Sequence, residues 1–166
     1  TSAVSLIEKY DNLLVVQTFS KSRSLAGMRI GYAIGNPELI RAMNDVRYSY
    51  NSYPMTRLSV ALGAAALEDE AYFRETVTKV IETREWTKKE LKRLGFSFRD
   101  SQTNFIFATH EIVPAQTIFD VLREKHIFVR HFGQKRIENY LRISIGTQAE
   151  MERFIRETEQ IIAQNR

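Results

Sequence analysis

Between Pro54 and Leu94 the sequence carries a helical pattern almost without interruption, and no other feature limits the possible folds so strongly. Leu58, Ala61, Leu62, Ala65 and Ala66 fall on one helical stripe. After a restart at Asp69, Phe73, Val77, Val80, Ile81 and Leu91 form a second stripe, and Gly95 fits the helix end. On either side the apolar pattern shortens into strand-like runs. The expectation is a short α/β piece and a small α+β domain joined by a helical arm.

Leu13-Leu14-Val15-Val16 reads as a buried strand, and Ile30-Gly31-Tyr32-Ala33-Ile34-Gly35 as a second. Asn36-Pro37-Glu38 starts a helix, with an N-cap and a first-turn proline, that should run to about Arg47. Residues 48–54 then read as an aromatic, polar loop, with the next helix beginning near Pro54. Further on, residues 96–98, 103–108, 126–130 and 140–145 read as strands and 114–125 as a helix. Thr147 and Glu150 form a capping box for a last helix whose Met151, Phe154, Ile155, Ile161 and Ile162 face a core. The domain reading is 1–67 and 68–166.

Composition narrows the function classes. With 166 residues, 43% hydrophobic and 27% charged, the chain can bury a core. It has no apolar run near the ~18 residues of a membrane span, and its first residues do not read as a signal peptide. It contains no cysteine, which excludes disulfides and thiolate metal sites and suits a cytoplasmic protein. His110, His126 and His131 lack metal-ligand spacing, so no metal is expected. The net charge of +4 is scattered and gives no nucleic-acid footprint. The charged run from Arg84 to Arg93 reads as a solvated helix face, with Trp86 and the phenylalanines in the core.

The chemistry is concentrated in Thr18-Phe19-Ser20-Lys21-Ser22-Arg23-Ser24-Leu25-Ala26-Gly27-Met28-Arg29-Ile30-Gly31, at the end of an apolar run. A lysine forms an imine with a carbonyl only when its amine is partly neutral, which a nearby cation or a desolvating wall promotes. Arg29 offers a fork for phosphate, Thr18 and Ser20 offer hydroxyls, and Gly27 and Gly31 leave room for backbone to approach a ligand. These groups suit a phosphorylated aldehyde, pyridoxal phosphate. The same window also reads as a polar loop between two strands, and the rest of the chain must decide.

On Tyr140-Leu141-Arg142-Ile143-Ser144-Ile145, a period of two separates Leu141, Ile143 and Ile145 from Tyr140, Arg142 and Ser144. An arginine in so apolar a strand calls for an anionic partner, either a structural carboxylate or a ligand.

The Ser20-Lys21 pair with Ala26-Gly27-Met28-Arg29 resembles the Schiff-base lysine motif of fold-type I, pyridoxal-phosphate-dependent aminotransferases. Leu141-Arg142-Ile143-Ser144-Ile145-Gly146-Thr147 resembles a segment of the histidinol-phosphate aminotransferase family. Ser101-Gln102-Thr103-Asn104-Phe105, Ile127-Phe128-Val129-Arg130, Asn36-Pro37-Glu38 and the Tyr50-Asn51 loop fit the same family in order.

The resemblance implies a partial large α/β domain followed by a small α+β C-terminal domain. It implies Lys21 as catalytic residue, Thr18, Ser20, Lys21 and Arg29 as cofactor-binding, and Arg142, Arg130 and Tyr50 as substrate-binding. Substrates would be an amino or oxo acid, or an amino-alcohol phosphate, handled by a homodimer. In the family the lysine lies past the middle of the chain, so this sequence looks like a C-terminal portion, inactive alone. Threonine-phosphate decarboxylases share the motif, and a regulator's effector-binding domain is the reading from another class.

Overall fold

The computed structural model describes residues 2–165 and divides into two compact units, Thr1–Arg74 and Glu75–Arg166.

In the first unit, β1 (Leu14–Thr18) and β2 (Gly31–Gly35) form a two-stranded antiparallel sheet with Thr18 opposite Gly31. Between them lie α1 (Phe19–Ser22) and a 3-10 turn at Ala26–Met28. Helices α2 (Pro37–Tyr50) and α3 (Arg57–Glu68) follow, and α4 (Glu70–Arg93) begins here and continues across the boundary. Asn36 caps α2 as expected, its side chain accepting from the Glu38 amide.

The sequence expectation needs correction at several points of this unit. The buried-strand pattern at 13–16 stands in a two-stranded ribbon, where Leu13, Leu14 and Val15 are half-buried and Val16 is 68% exposed. A two-stranded ribbon has no neighbours to cover its apolar side chains. Helix α2 extends past Arg47 to Tyr50, because nothing stops it before the extended Asn51. The next helix starts at Arg57, not Pro54, since Thr56 supplies the N-cap by accepting from the Ser59 amide. In α3 the buried residues are Ser59 and Gly63, while the stripe residue Leu58 is 61% exposed. Small residues face inward because Phe19 and Ile30 come down on the helix there, and a Cβ on Gly63 would meet Ile30 Cδ1 at 2.9 Å.

The second unit holds the main core. Its antiparallel sheet has the order β3 (Phe96–Phe98), β4 (Phe105–His110), β6 (Leu141–Ser144), β5 (Arg130–His131). Leu91 and Leu94, Ile118 and Leu122 of α5 (Ala115–Glu124), and Phe154 and Ile161 of α6 (Gln148–Gln164) join Ile106 and Ile143 in one apolar cluster. The Thr147–Glu150 capping box is present, and Met151, Phe154, Ile155, Ile161 and Ile162 are all buried. Gly95 ends α4 with φ of 89°, a conformation glycine adopts without strain. Buried His110 clasps this corner: Nδ1 accepts from the Ile112 and Val113 amides, so the ring proton sits on Nε2 and is donated to the Leu94 carbonyl.

Two expectations fail in this unit. No strand covers 126–129, because the His126 and Ile127 amides are spent closing α5, bonding the Arg123 and Leu122 carbonyls. Nor is the Arg84–Arg93 run solvated throughout, although Glu85, Lys89, Lys92 and Arg93 are exposed. Arg84 and Lys88 are 7% and 6% exposed, and Ile81, placed in the core stripe, is 42% exposed. Long cationic side chains lie along the apolar surface and keep their heads at partners on its rim.

Candidate functional site

The lysine loop is built by hydrogen bonds at its neck. Phe19 donates its amide to the Ile30 carbonyl at 3.1 Å, closing residues 19–30 directly above the Thr18–Gly31 register pair. Thr18 terminates β1 and caps α1, its hydroxyl accepting from the Ser20 amide at 3.1 Å. That hydroxyl lies 2.9 Å from Ser20 Oγ and 3.2 Å from the Ile30 carbonyl. Phe19 is the buried anchor of α1, packed edge-on against Tyr32 at 5.9 Å. Ser59 Oγ donates to the Met28 carbonyl at 3.0 Å and ties the far limb of the loop to α3.

The reactive side chains lie on the outside of this frame. Lys21 is exposed on α1 and makes no ion pair among the described residues. Arg29 is left-handed, with φ of 55°, and spends one donor on the Ala26 carbonyl at 3.0 Å. Its other guanidinium donors face no carboxylate among the described residues, and a Cβ at Gly27 would meet nothing within 4 Å. An amine, hydroxyls and an uncommitted guanidinium around open space are a donor set that fits a phosphorylated aldehyde.

In the second unit, register brings two predicted residues together. Arg130 of β5 stands directly opposite Arg142 of β6. Opposed like charges destabilise a strand pair, and among the described residues neither guanidinium has a carboxylate partner. Arg142 lies 5.7 Å from the Phe105 ring centroid and Arg130 5.6 Å from that of Phe132. The expected alternation is present: Leu141 and Ile143 are buried, and Arg142 is exposed on the sheet face opposite the core, without a structural carboxylate among the described residues. That face also carries the Phe107–Tyr140 stack, 4.7 Å between centroids, beside a cleft of about 710 Å³. A pair of exposed arginines on an aromatic floor suits a small anion.

Tyr50 is not in the expected loop. It ends α2, 91% exposed.

Sequence reasoning missed Arg23, Ser59 and Gly63, which fasten the lysine loop to α3, and Lys88 with Arg84. Two of these carry a signal in hindsight: a serine and a glycine four residues apart mark a face where another segment comes close. The Lys88 ammonium is pulled down by burial but raised overall by hydrogen bonds to Asp100 and Glu85. Both carboxylates are lowered in return, chiefly by Lys88.

Residues 1–157 match the family described as Aminotransferase class I and II. Curated relatives named histidinol-phosphate aminotransferase, from Brachyspira hyodysenteriae and Clostridium botulinum, are each 52% identical over 161 residues. Those matches cover 97% of this chain but 46% of the relatives, so the chain spans about half the length of the curated relatives it matches. Among solved structures, histidinol-phosphate aminotransferase from Sinorhizobium meliloti, in complex with pyridoxal-5'-phosphate, superposes with a TM-score of 0.82 at 30% identity. That superposition covers 97% of this chain and 44% of the other.

Proposed function

The chain belongs to the aminotransferase class I and II family, and on that premise we propose that it serves a pyridoxal-phosphate-dependent transaminase acting on histidinol phosphate with 2-oxoglutarate and glutamate. Its fold is that of the fold-type I enzymes, a partial large domain followed by a small α+β domain. We assign residues 1–67 to the first and 68–166 to the second.

The observation that carries the reading is Lys21, exposed and without an ion-pair partner among the described residues, on the turn capped by Thr18. The cofactor, when bound, supplies an electron sink. Lys21 would hold it through the side-chain amine, and that amine, when free, would take and hold the proton leaving the substrate α-carbon. Thr18, Ser20 and Arg29 would hold its phosphate. Arg142, helped by Arg130, holds the anionic end of either substrate, phosphate or carboxylate, which one basic site can serve in both half-reactions. Tyr50 contributes to the substrate site.

The full enzyme is assigned as a cytoplasmic homodimer, and the present chain alone as inactive. Among the described residues no helix is long and apolar enough to cross a membrane.

The test is covalent. Borohydride reduction of the full-length protein with pyridoxal phosphate, followed by peptide mapping, should place the adduct on Lys21. An adduct on Lys9, or none, overturns the assignment.

A further inference from the structure

We infer that Arg23 is a positioning residue: its side chain straps the turn that carries Lys21 to the junction of α3 and α4. The inference rests on the reading of Lys21 as the lysine that captures the cofactor.

The turn needs such a strap. Helix α1 has four residues and only Phe19 of them is buried. A single helical turn fixes several backbone angles for little hydrogen-bonding return, so its order must come from tertiary contacts. Among the described residues Ser20, Lys21 and Ser22 provide none that reach another helix: Ser20 and Ser22 bond to Thr18, and Lys21 is exposed.

Arg23 supplies three. Nη1 donates to the Ala66 carbonyl at 2.6 Å, Nη2 lies 3.6 Å from Glu70 Oε2, and the guanidinium carbon sits 3.7 Å from the centroid of the Phe73 ring. The side chain is only 13% exposed. Its own amide closes the α1 turn by donating to the Phe19 carbonyl at 3.2 Å, so one residue both ends the turn and anchors it.

The partners suit a guanidinium and nothing simpler. Ala66 lies in the last turn of α3, where carbonyls lack helical donors and the helix end favours a cation. A planar fork can satisfy that carbonyl, approach Glu70 and lie flat on Phe73 at the same time, whereas an ammonium cannot. The two arginines of the loop thereby divide their roles. Arg23 commits its fork to protein groups, and Arg29 keeps most of its donors for an anion.

The experiment uses the full-length protein with Arg23→Ala and Arg23→Lys. Arg23→Ala should speed amide exchange across residues 20–24 in the cofactor-free protein. It should also slow capture of pyridoxal phosphate by Lys21, read by borohydride trapping, and lower kcat by about ten- to a hundredfold at unchanged substrate KM. Arg23→Lys should restore part of each. Should Arg23→Ala fail to fold, Phe73→Leu, which removes only the ring under the guanidinium, should show the same pattern more weakly.

A lowered Tm with wild-type exchange, trapping rate and kcat below it would make Arg23 merely structural and overturn the inference. If the wild-type protein itself is not trapped at Lys21, the reading of the lysine fails and the inference goes with it.

Discussion

The Lys88 ammonium lies 2.7 Å from Asp100 Oδ1, although the lysine is almost wholly buried on α4 and the aspartate side chain is 75% exposed. Glu85 Oε1 closes the same ammonium from the other side at 2.8 Å. The pair fastens α4 to the segment that follows β3. Both carboxylates are held below their usual range, so their contribution is present at neutral pH and is lost as pH falls through those lowered values.

Asp100→Asn should accordingly lower Tm at neutral pH, and the gap to wild type should close in acid, where the native carboxylate is protonated. Lys88→Met, which keeps the buried stem but removes the partner of both carboxylates, should lower Tm at neutral pH as well, and its gap to wild type should likewise close in acid. Thermal denaturation of both variants across pH checks this. Variants as stable as wild type at neutral pH would mean that the pairing contributes nothing.

Arg142→Lys keeps the charge opposite Arg130 but loses the fork. In the full-length enzyme, kcat/KM for histidinol phosphate and for glutamate should fall by the equivalent of about 1.5 to 3 kcal/mol, the worth of a charge-assisted hydrogen bond. Cofactor capture at Lys21 should be unchanged. Steady-state kinetics beside borohydride trapping separates the two. Unfolding with normal kinetics in the folded fraction would make Arg142 structural.

Glu150 is lowered chiefly by the Thr147 amide that its carboxylate accepts, and next by the Thr147 hydroxyl. Thr147→Ala removes half of the capping box and should cost about 1 kcal/mol. A depressed carboxylate stabilises above its unfolded pKa and loses that contribution as pH falls through its folded value. Glu150→Gln should thus differ from wild type at neutral pH and converge with it in acid, as measured by urea denaturation at several pH values.

Gly63 is the contact point between α3 and the lysine loop, where an added Cβ would come within 2.9 Å of Ile30 Cδ1. Gly63→Ala should be mild, since the atom it meets is the end of a flexible side chain and alanine favours the helix by about 1 kcal/mol. Gly63→Leu leaves Phe19 and Ile30 no room, and should release residues 19–30 and slow cofactor capture. Amide exchange with trapping kinetics decides whether the packing of this one helix face sets the loop.

The sequence by itself determined what depends on neighbours along the chain. The capping box at Thr147 and Glu150, the alternation of Leu141 and Arg142, the buried face of α6 and the lysine window are local patterns, written in periods of two and 3.6 residues. The tertiary structure decided what depends on which surface a pattern meets. Val16 has the composition of a buried strand and stands exposed, because among the described residues β2 alone pairs with β1. Lys88 and Arg84 look like a wet face and are buried against residues around 103, since charge alone does not say what lies alongside a helix. Arg130 became a partner of Arg142 only through strand register, and Arg23 reaches a carbonyl 43 residues away. Contacts of that separation leave no periodic trace, because they are selected by packing after the local elements have formed.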